Sequence, residues 1–536
     1  MSRRTFLKKS GALMAAPLLV DLLAMDSAFA QGTKSMIRIL AEAGPNTLDP
    51  AGSGFNRYSI NVTWNVYDRL VTFGSKKLED GTAMYDYYKV VPQLAESFST
   101  SPDGKTITFV LRKNAVFHDG TPITSADVKW SLDRALAMPA SRSQLATGSM
   151  TKPEQFVVVD DYTVRVTTEQ ADRFTLPNLA VLFPAIINSK LAKANATAAD
   201  PWAGDWLKSN TAASGPFQVE SYKVGQEIIF KRFDKWTGGK LPAVDRIIYQ
   251  VVPAGASRRA AAERGSADIV LDLPPRDVSN MLAGKKVKIS GVPWTNGFQF
   301  LGMNNQMKPF DNINVRRAIA HAVPYQAMFD NVIYKRGLPL YGGKEQEAKT
   351  TQWPTPLPYD TDLAKAKRYL AEAGMADGFE TTFSFDMAQA ATAEPIAVLL
   401  QESLAKIGIK VNINKVPSGQ LGSMLQNKEL AFFFEQSGAW LNDPDYFFRV
   451  FYQGDSRWNY GSYKNPEMIE AVKQARFEGD KAKYEALVKK MITLAMTEVP
   501  IVLLWSPFLD VAFGPKLGGY EYMYHRQLEF RPLTNG

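Results

Sequence analysis

The chain of 536 residues contains no cysteine and only three histidines, His118, His321 and His525. Without thiols there are no disulfides, thiolate zinc sites, iron–sulfur clusters or cysteine nucleophiles, and no lipid anchor on an N-terminal cysteine. The histidines are too far apart in sequence for H-E-x-x-H or a comparable metal spacing, so they read as structural residues, and neither a metal nor a cofactor is expected. Long apolar runs are missing too: beyond the first thirty residues no segment reaches the ~18 consecutive apolar residues of a membrane span. Gly52-Ser53-Gly54 lacks the third glycine of a dinucleotide fingerprint, Gly337 to Lys344 has the wrong spacing for a phosphate loop, and G-x-S-x-G is absent. The acid pairs Asp160-Asp161 and Asp443/Asp445 read as turn or cap residues rather than a glycosidase dyad. The charge of +8, from 62 Lys+Arg against 54 Asp+Glu, is scattered in pairs such as Lys76-Lys77, Arg258-Arg259 and Lys285-Lys286. A nucleic-acid footprint needs a concentrated stripe, so no nucleic-acid partner is expected.

What is present begins with an address. Ser2 to Lys8 reads S-R-R-T-F-L-K, followed by the interrupted apolar stretch Gly11 to Met25 and by Ala28-Phe29-Ala30. A positive start, a short apolar segment and small residues at −3 and −1 make residues 1–30 a twin-arginine signal peptide, cleaved before Gln31. Pro17, Asp21 and Asp26 argue against a retained anchor. The expected location is the periplasm, as a free protein.

With 45% hydrophobic residues a packed core follows, and the length exceeds what one hydrophobic core supports, about 250–300 residues, so several lobes are expected. A short strand from Met36 to Leu40 feeds the turn-rich segment Gly44 to Asn56. Lys105 to Leu111 alternates as a half-buried hairpin strand after the S-P-D-G turn, and a helix follows with Ser125 as its expected N-cap. Pro293 to Pro309, rich in Asn, Gly and Pro, reads as a crossover. The clearest βαβ pattern is strand Glu380 to Asp386, a helix carrying Ile396, Leu400 and Leu404, strand Lys410 to Val416, helix Ser418 to Asn427 and strand Leu430 to Phe434. Ten Trp, 21 Tyr and 30 Phe suit a binding cleft.

The segments V-V-P-Q-L-A-E-S-F (Val90 to Phe98), S-P-D-G-K-T-I-T-F-V-L-R-K (Ser101 to Lys113) and F-H-D-G-T-P-I-T-S-A-D-V (Phe117 to Val128) resemble solute-binding proteins of dipeptide and oligopeptide ABC importers, extracellular solute-binding family 5. The likeness continues at L-D-P (Leu48 to Pro50), S-G-P-F (Ser214 to Phe217), Trp236 to Gly239, G-S-A-D-I (Gly265 to Ile269), M-N-N (Met303 to Asn305) and N-V-R-R-A-I-A-H-A-V (Asn314 to Val323).

The resemblance implies an α/β, two-lobed periplasmic-binding-protein fold of type II, a flytrap with an extra subdomain inserted in lobe I. Lobe I would comprise 33–69, 181–294 and 499–536, the insertion 70–180, and lobe II 295–498. It also implies a non-enzyme: a monomer that captures a peptide-sized solute, most simply a di- or oligopeptide, and delivers it to an inner-membrane ABC permease. Ligands of open α/β sheets lie beyond the carboxyl ends of the strands. That points to the loop Ala51 to Tyr58, with Phe55 and Tyr58, and to the loop Glu435 to Phe447, with Trp440, Asn442 and Asp443. Trp294, Asn296 and Phe298 at the crossover are further candidates. In the peptide-binding relatives an aspartate several residues beyond the tryptophan holds the peptide ammonium. Here Trp440 runs directly into Leu441-Asn442-Asp443-Pro444, so Asp443 reads either as a shifted amine anchor or as a turn residue. The short loop keeps other cargoes open: an oligosaccharide, an opine-like conjugate, glutathione or a metal chelate. Two further readings are a twin-arginine-exported hydrolase or cofactor enzyme, and a periplasmic sensor or chaperone on the same fold.

Overall fold

In the computed structural model, which describes residues 35–536 apart from Ser53 and Arg526, the molecule is built on a 12-stranded sheet in two halves. The signal-peptide reading of residues 1–30 lies outside the described residues. In the first half, Met36–Ala41 lies between Arg246–Val251 and Ile269–Val270, parallel to both. Glu227–Arg232 and Phe217–Lys223 extend it antiparallel. Alternating residues such as Ile37, Ile39, Phe230 and Ile247 bury one face in a core closed by Phe217 and Phe530. In the second half, Glu380–Asp386 is parallel to Lys410–Val416 and to Phe432–Gly438, with helix Ala390–Ala405 crossing between the first pair as the apolar spacing of Ile396, Leu400 and Leu404 requires.

Two neighbouring segments join the halves. Strand Ile501–Phe513 starts against Gly297–Met303 in the second half and ends against Lys288–Pro293 and Ile269–Val270 in the first. The return segment is shorter than the composition suggested. Only Trp294 to Asn296 break the chain between Lys288–Pro293 and Gly297–Met303, because the Asn/Gly-rich stretch still alternates well enough to pair Gly297–Met303 with Phe432–Gly438 over its full length. The same pairing corrects the strand expected at Leu430 to Phe434: it runs Phe432–Gly438, so Glu435 to Gly438 are strand and the loop is only Ala439 to Asp443.

Residues 71–167 carry two small sheets of their own, and Glu521–Tyr522 near the C-terminus adds a parallel strand to one of them. Helix Ser125–Ala137 is capped by Thr124, not by Ser125. The Thr124 N–H donates to the Asp127 carboxylate, which completes a capping box. Helix residue Arg134 pairs bidentately with the buried Asp49 of the L-D-P segment at 3.0 and 2.6 Å, tying these small sheets to the first half. The S-G-P-F glycine has a steric cause: a Cβ on Gly215 would lie 2.6 Å from the Val66 carbonyl. His118 donates its Nε2–H to the Gly215 carbonyl at 3.0 Å and packs edge-on to Phe233, a structural position.

Candidate functional site: the cleft between the lobes

Between the two halves of the sheet lies a cleft of about 610 Å³. Its floor is the joining strand at Pro507 to Val511, with Gln299 beside it. One wall follows the carboxyl ends of the parallel strands Met36–Ala41, Arg246–Val251 and Ile269–Val270; the other follows the carboxyl end of Glu380–Asp386, at Gln389, Thr392 and Pro395, with Gln436. This is where open α/β sheets bind ligands, since strand ends leave main-chain groups and loops facing a crevice.

Asp272 organises the first wall. It follows strand Ile269–Val270 in a left-handed conformation, φ 56°, and its carboxylate takes the Arg57 guanidinium and the Tyr58 hydroxyl, the latter at 3.1 Å. The Asp272 carbonyl accepts from the buried Arg258 at 2.6 Å, which also binds the Val252 and Pro253 carbonyls. A strained, non-glycine backbone held by three side chains keeps this wall in one shape. On the opposite side Arg336 pairs with Asp510 of the joining strand, with one contact at 3.1 Å, and its guanidinium lies 4.7 Å from the Phe508 ring centre. Gln436 is exposed to the cleft, while its neighbour Glu435 points to the other face of the strand, where partial burial and Asp386 push its pKa up to about 7. The cleft therefore offers amide and hydroxyl groups between fixed Arg–Asp pairs, a surface for a polar solute with both donors and acceptors.

Of the residues singled out from sequence, Tyr58 stands in this wall. The others gather in a second region, where the Ala439 to Asp443 loop meets the small sheets and the C-terminal segment. Trp440 packs on His525 at 3.9 Å and on Phe183 at 4.8 Å, and Phe55 reaches the same Phe183 at 6.5 Å. Trp294 donates its indole N–H to the Tyr524 carbonyl at 3.0 Å and lies on Gly297 and Gly438, where a Cβ would come within 2.3 Å of the indole. Asn296 clamps the loop by exchanging two bonds with the Ala439 main chain. Phe298 is fully buried and stacks on Phe447. Asn442 lies beside the Tyr85 hydroxyl. Asp443 caps helix Pro444–Phe451, accepting the Asp445 N–H at 2.9 Å and the Tyr484 hydroxyl at 2.6 Å. Its burial raises the carboxyl pKa, and the Tyr484 bond opposes that rise.

Arg57 and Gln436 fall inside the two loops indicated by the sequence but were not singled out there, and Asp272, Arg336 and Asp510 were not reached by sequence reasoning. Asp272 had a usable signal, since it sits just past the strand that G-S-A-D-I enters. Gln436 had one in the period-2 alternation continuing beyond Phe434. Among the described residues no three His, Asp or Glu side chains gather as a metal-binding group, and no helix is long and apolar enough to cross a membrane.

A family model, the bacterial extracellular solute-binding proteins, family 5, matches residues 89–459. The chain belongs to this family. Its relatives include the probable D,D-dipeptide-binding periplasmic protein DdpA of Escherichia coli, 28% identical with 91% of this chain and 92% of that protein covered. The heme-binding protein A of Haemophilus influenzae is also 28% identical, covering 88% and 86%. Among solved structures, DppA of Helicobacter pylori in complex with the peptide STSA superposes with a TM-score of 0.78 at 23% identity, covering 94% of this chain and 98% of that one, and shares the two-lobed type II fold.

Proposed function

We propose that this chain is the periplasmic receptor of an ABC importer and takes a peptide-sized solute, a di- or oligopeptide, into the cleft between its lobes for delivery to an inner-membrane permease. The observation that carries the reading is the cleft itself: about 610 Å³, closed by strand ends of both lobes and walled by Tyr58, Gln299, Gln436 and two Arg–Asp pairs. Such a volume suits a few residues of peptide, and polar groups held in place orient a solute at low cost in ordering entropy. Relatives named for dipeptides support the cargo class. On this reading residues 33–69, 181–294 and 499–536 act as lobe I, 70–180 as its insertion and 295–498 as lobe II. Phe55, Trp294, Asn296, Phe298, Trp440, Asn442 and Asp443 serve the cleft by fixing the loop that closes beside it, and no bond is made or broken in the solute. The mature chain is a monomer, exported with cleavage of residues 1–30.

Mass spectrometry of small molecules released on denaturing protein purified from its native periplasm tests this. A ladder of short peptides is the expected result. A single sugar conjugate or metal chelate overturns the peptide cargo and keeps the receptor role, whereas turnover of added peptide would overturn the receptor role itself.

A further inference from the structure

Arg69 is fully buried, and none of its three guanidinium nitrogens has a hydrogen-bond partner. Its backbone is fixed, with the N–H donating to Gln93 at 3.2 Å and the carbonyl accepting from Leu94 at 3.0 Å. The guanidinium carbon sits 3.9 Å from the Trp64 ring centre, so one face is covered and the N–H edges are bare. The acids nearby have other partners. Asp68 accepts from Trp236 and Ser214, each at 3.0 Å; Glu529 accepts from Trp64 at 2.8 Å and from Arg531 at 2.7 Å. Burial drives the Arg69 pKa down to about 10 and the Asp68 pKa up to about 6; the attraction between them, and that of Tyr524 and Glu529 for Arg69, is too small to offset it. An arginine presents five N–H donors, and leaving them all unmade in a dry site is costly, whereas a methionine would pack the same space without that cost.

Arg69 does not itself line the cleft; a row of aromatic rings separates the two. Tyr522 lines the cleft; its ring is 6.2 Å from Tyr85, Tyr85 is 5.1 Å from Tyr524, and Tyr524 is 5.8 Å from the Trp64 ring that covers Arg69. The loop from the second lobe roofs this row, with Trp440 6.3 Å from Tyr524 and Asn442 beside Tyr85. We propose that Arg69 is an anion subsite of the cleft, which takes a carboxylate of the solute as a bidentate pair when the tyrosine row and the Trp440 loop part to admit it. This rests on the solute-receptor reading and narrows the cargo to molecules that carry a carboxylate.

Three measurements on the mature protein test it. With Arg69→Met, the unliganded protein, freed of cargo by unfolding and refolding, is expected to keep or raise its thermal midpoint, because an uncompensated buried charge is removed; a midpoint several degrees lower marks a purely structural arginine and overturns the proposal. Crystals soaked in sodium bromide should show an anomalous peak within hydrogen-bond reach of Arg69 that is lost in Arg69→Met and kept in Arg69→Lys, and a water in its place with no bromide overturns it. By calorimetry, Ala-Ala should bind at least tenfold tighter than its C-terminal amide, with the preference lost in Arg69→Met. Equal binding of the two overturns the anion subsite and leaves the receptor reading standing. If neither peptide binds, the peptide cargo fails and the bromide result decides Arg69 on its own.

Discussion

The two lobes meet along two seams built from opposite materials. At the cleft, the walls stand apart and their charged groups pair within a wall or with the floor, as Arg57 does with Asp272 and Arg336 with Asp510, so the facing amides and hydroxyls are left for a solute. At the other seam, between the small sheets of residues 71–167 and the helices Pro444–Phe451 and Pro466–Arg476, charged groups pair across the gap and no room remains. Asp172, wholly buried, receives Arg449 and Arg476 at 3.4 Å each; Arg449 also holds Asp445 and the Thr147 carbonyl, and the Tyr446 hydroxyl donates to Gln144 at 2.6 Å. Arg173 lies 3.5 Å from the Tyr484 ring centre and binds the Ala475 and Glu478 carbonyls. Pairing within a wall or with the floor preserves an opening, whereas pairing from one wall to the facing one closes it. The same residue types thus give a binding space or a clamp according to which side of the gap supplies the partner.

Removing the clamp's central cation should have the largest effect. Arg449→Met leaves the buried Asp445 without a cation and Asp172 with Arg476 alone, and is expected to cost about 3–5 kcal/mol, read as a fall in the urea midpoint, with solution scattering showing a more extended molecule. An unchanged midpoint would mean that the seam is wetter than its packing implies. Next is Gly438→Ala, which forces the Trp294 indole off the glycine pair and should destabilise by ~1–3 kcal/mol as an overpacked site; the Trp294 fluorescence maximum should shift, and no loss would show that the loop can yield. At the cleft, Tyr58→Phe removes one hydroxyl from the Asp272 group, a cost of about 1 kcal/mol to the fold, so the thermal midpoint should fall by only about 1–2 °C while any bound peptide weakens several-fold. A larger change in midpoint than in affinity would make that wall structural.

The smallest effect is one of pH. Glu435 titrates near 7 in the fold against 4.5 as its ordinary value, so the native state holds its proton through that interval. Its contribution to stability is fully present below pH 4.5 and is lost as the pH rises through 7. Glu435→Gln should therefore be the more stable form at pH 8, with the gap closing towards pH 4.5 in paired thermal melts. A constant gap across that range would show that Glu435 is solvated.

The strands and helices were legible wherever a period held over several residues. Met36–Ala41, Thr106–Leu111, Glu380–Asp386 and Lys410–Val416 fall where alternation and turn residues place them. The errors sit where composition stood in for period: Gly297–Met303 hidden in an Asn/Gly-rich stretch, and Glu435 to Gly438 read as loop because polar residues continue a buried strand. For the cleft, the first loop was located through Tyr58. Its partner Asp272 lies 214 positions away, and no local pattern joins them.

By itself the sequence determined that thiol chemistry is absent, since a chain without cysteine offers no thiolate in any fold. It also determined the lobed α/β class, because periodicity and segment order are local properties that survive in one dimension. Only the tertiary structure decided which charges face each other. Arg134 finds Asp49, Arg449 finds Asp172, and Arg69 finds no acceptor at all. Whether a buried cation is a clamp, a brace or a place for a ligand depends on partners brought in from hundreds of residues away, and packing alone sets that distance.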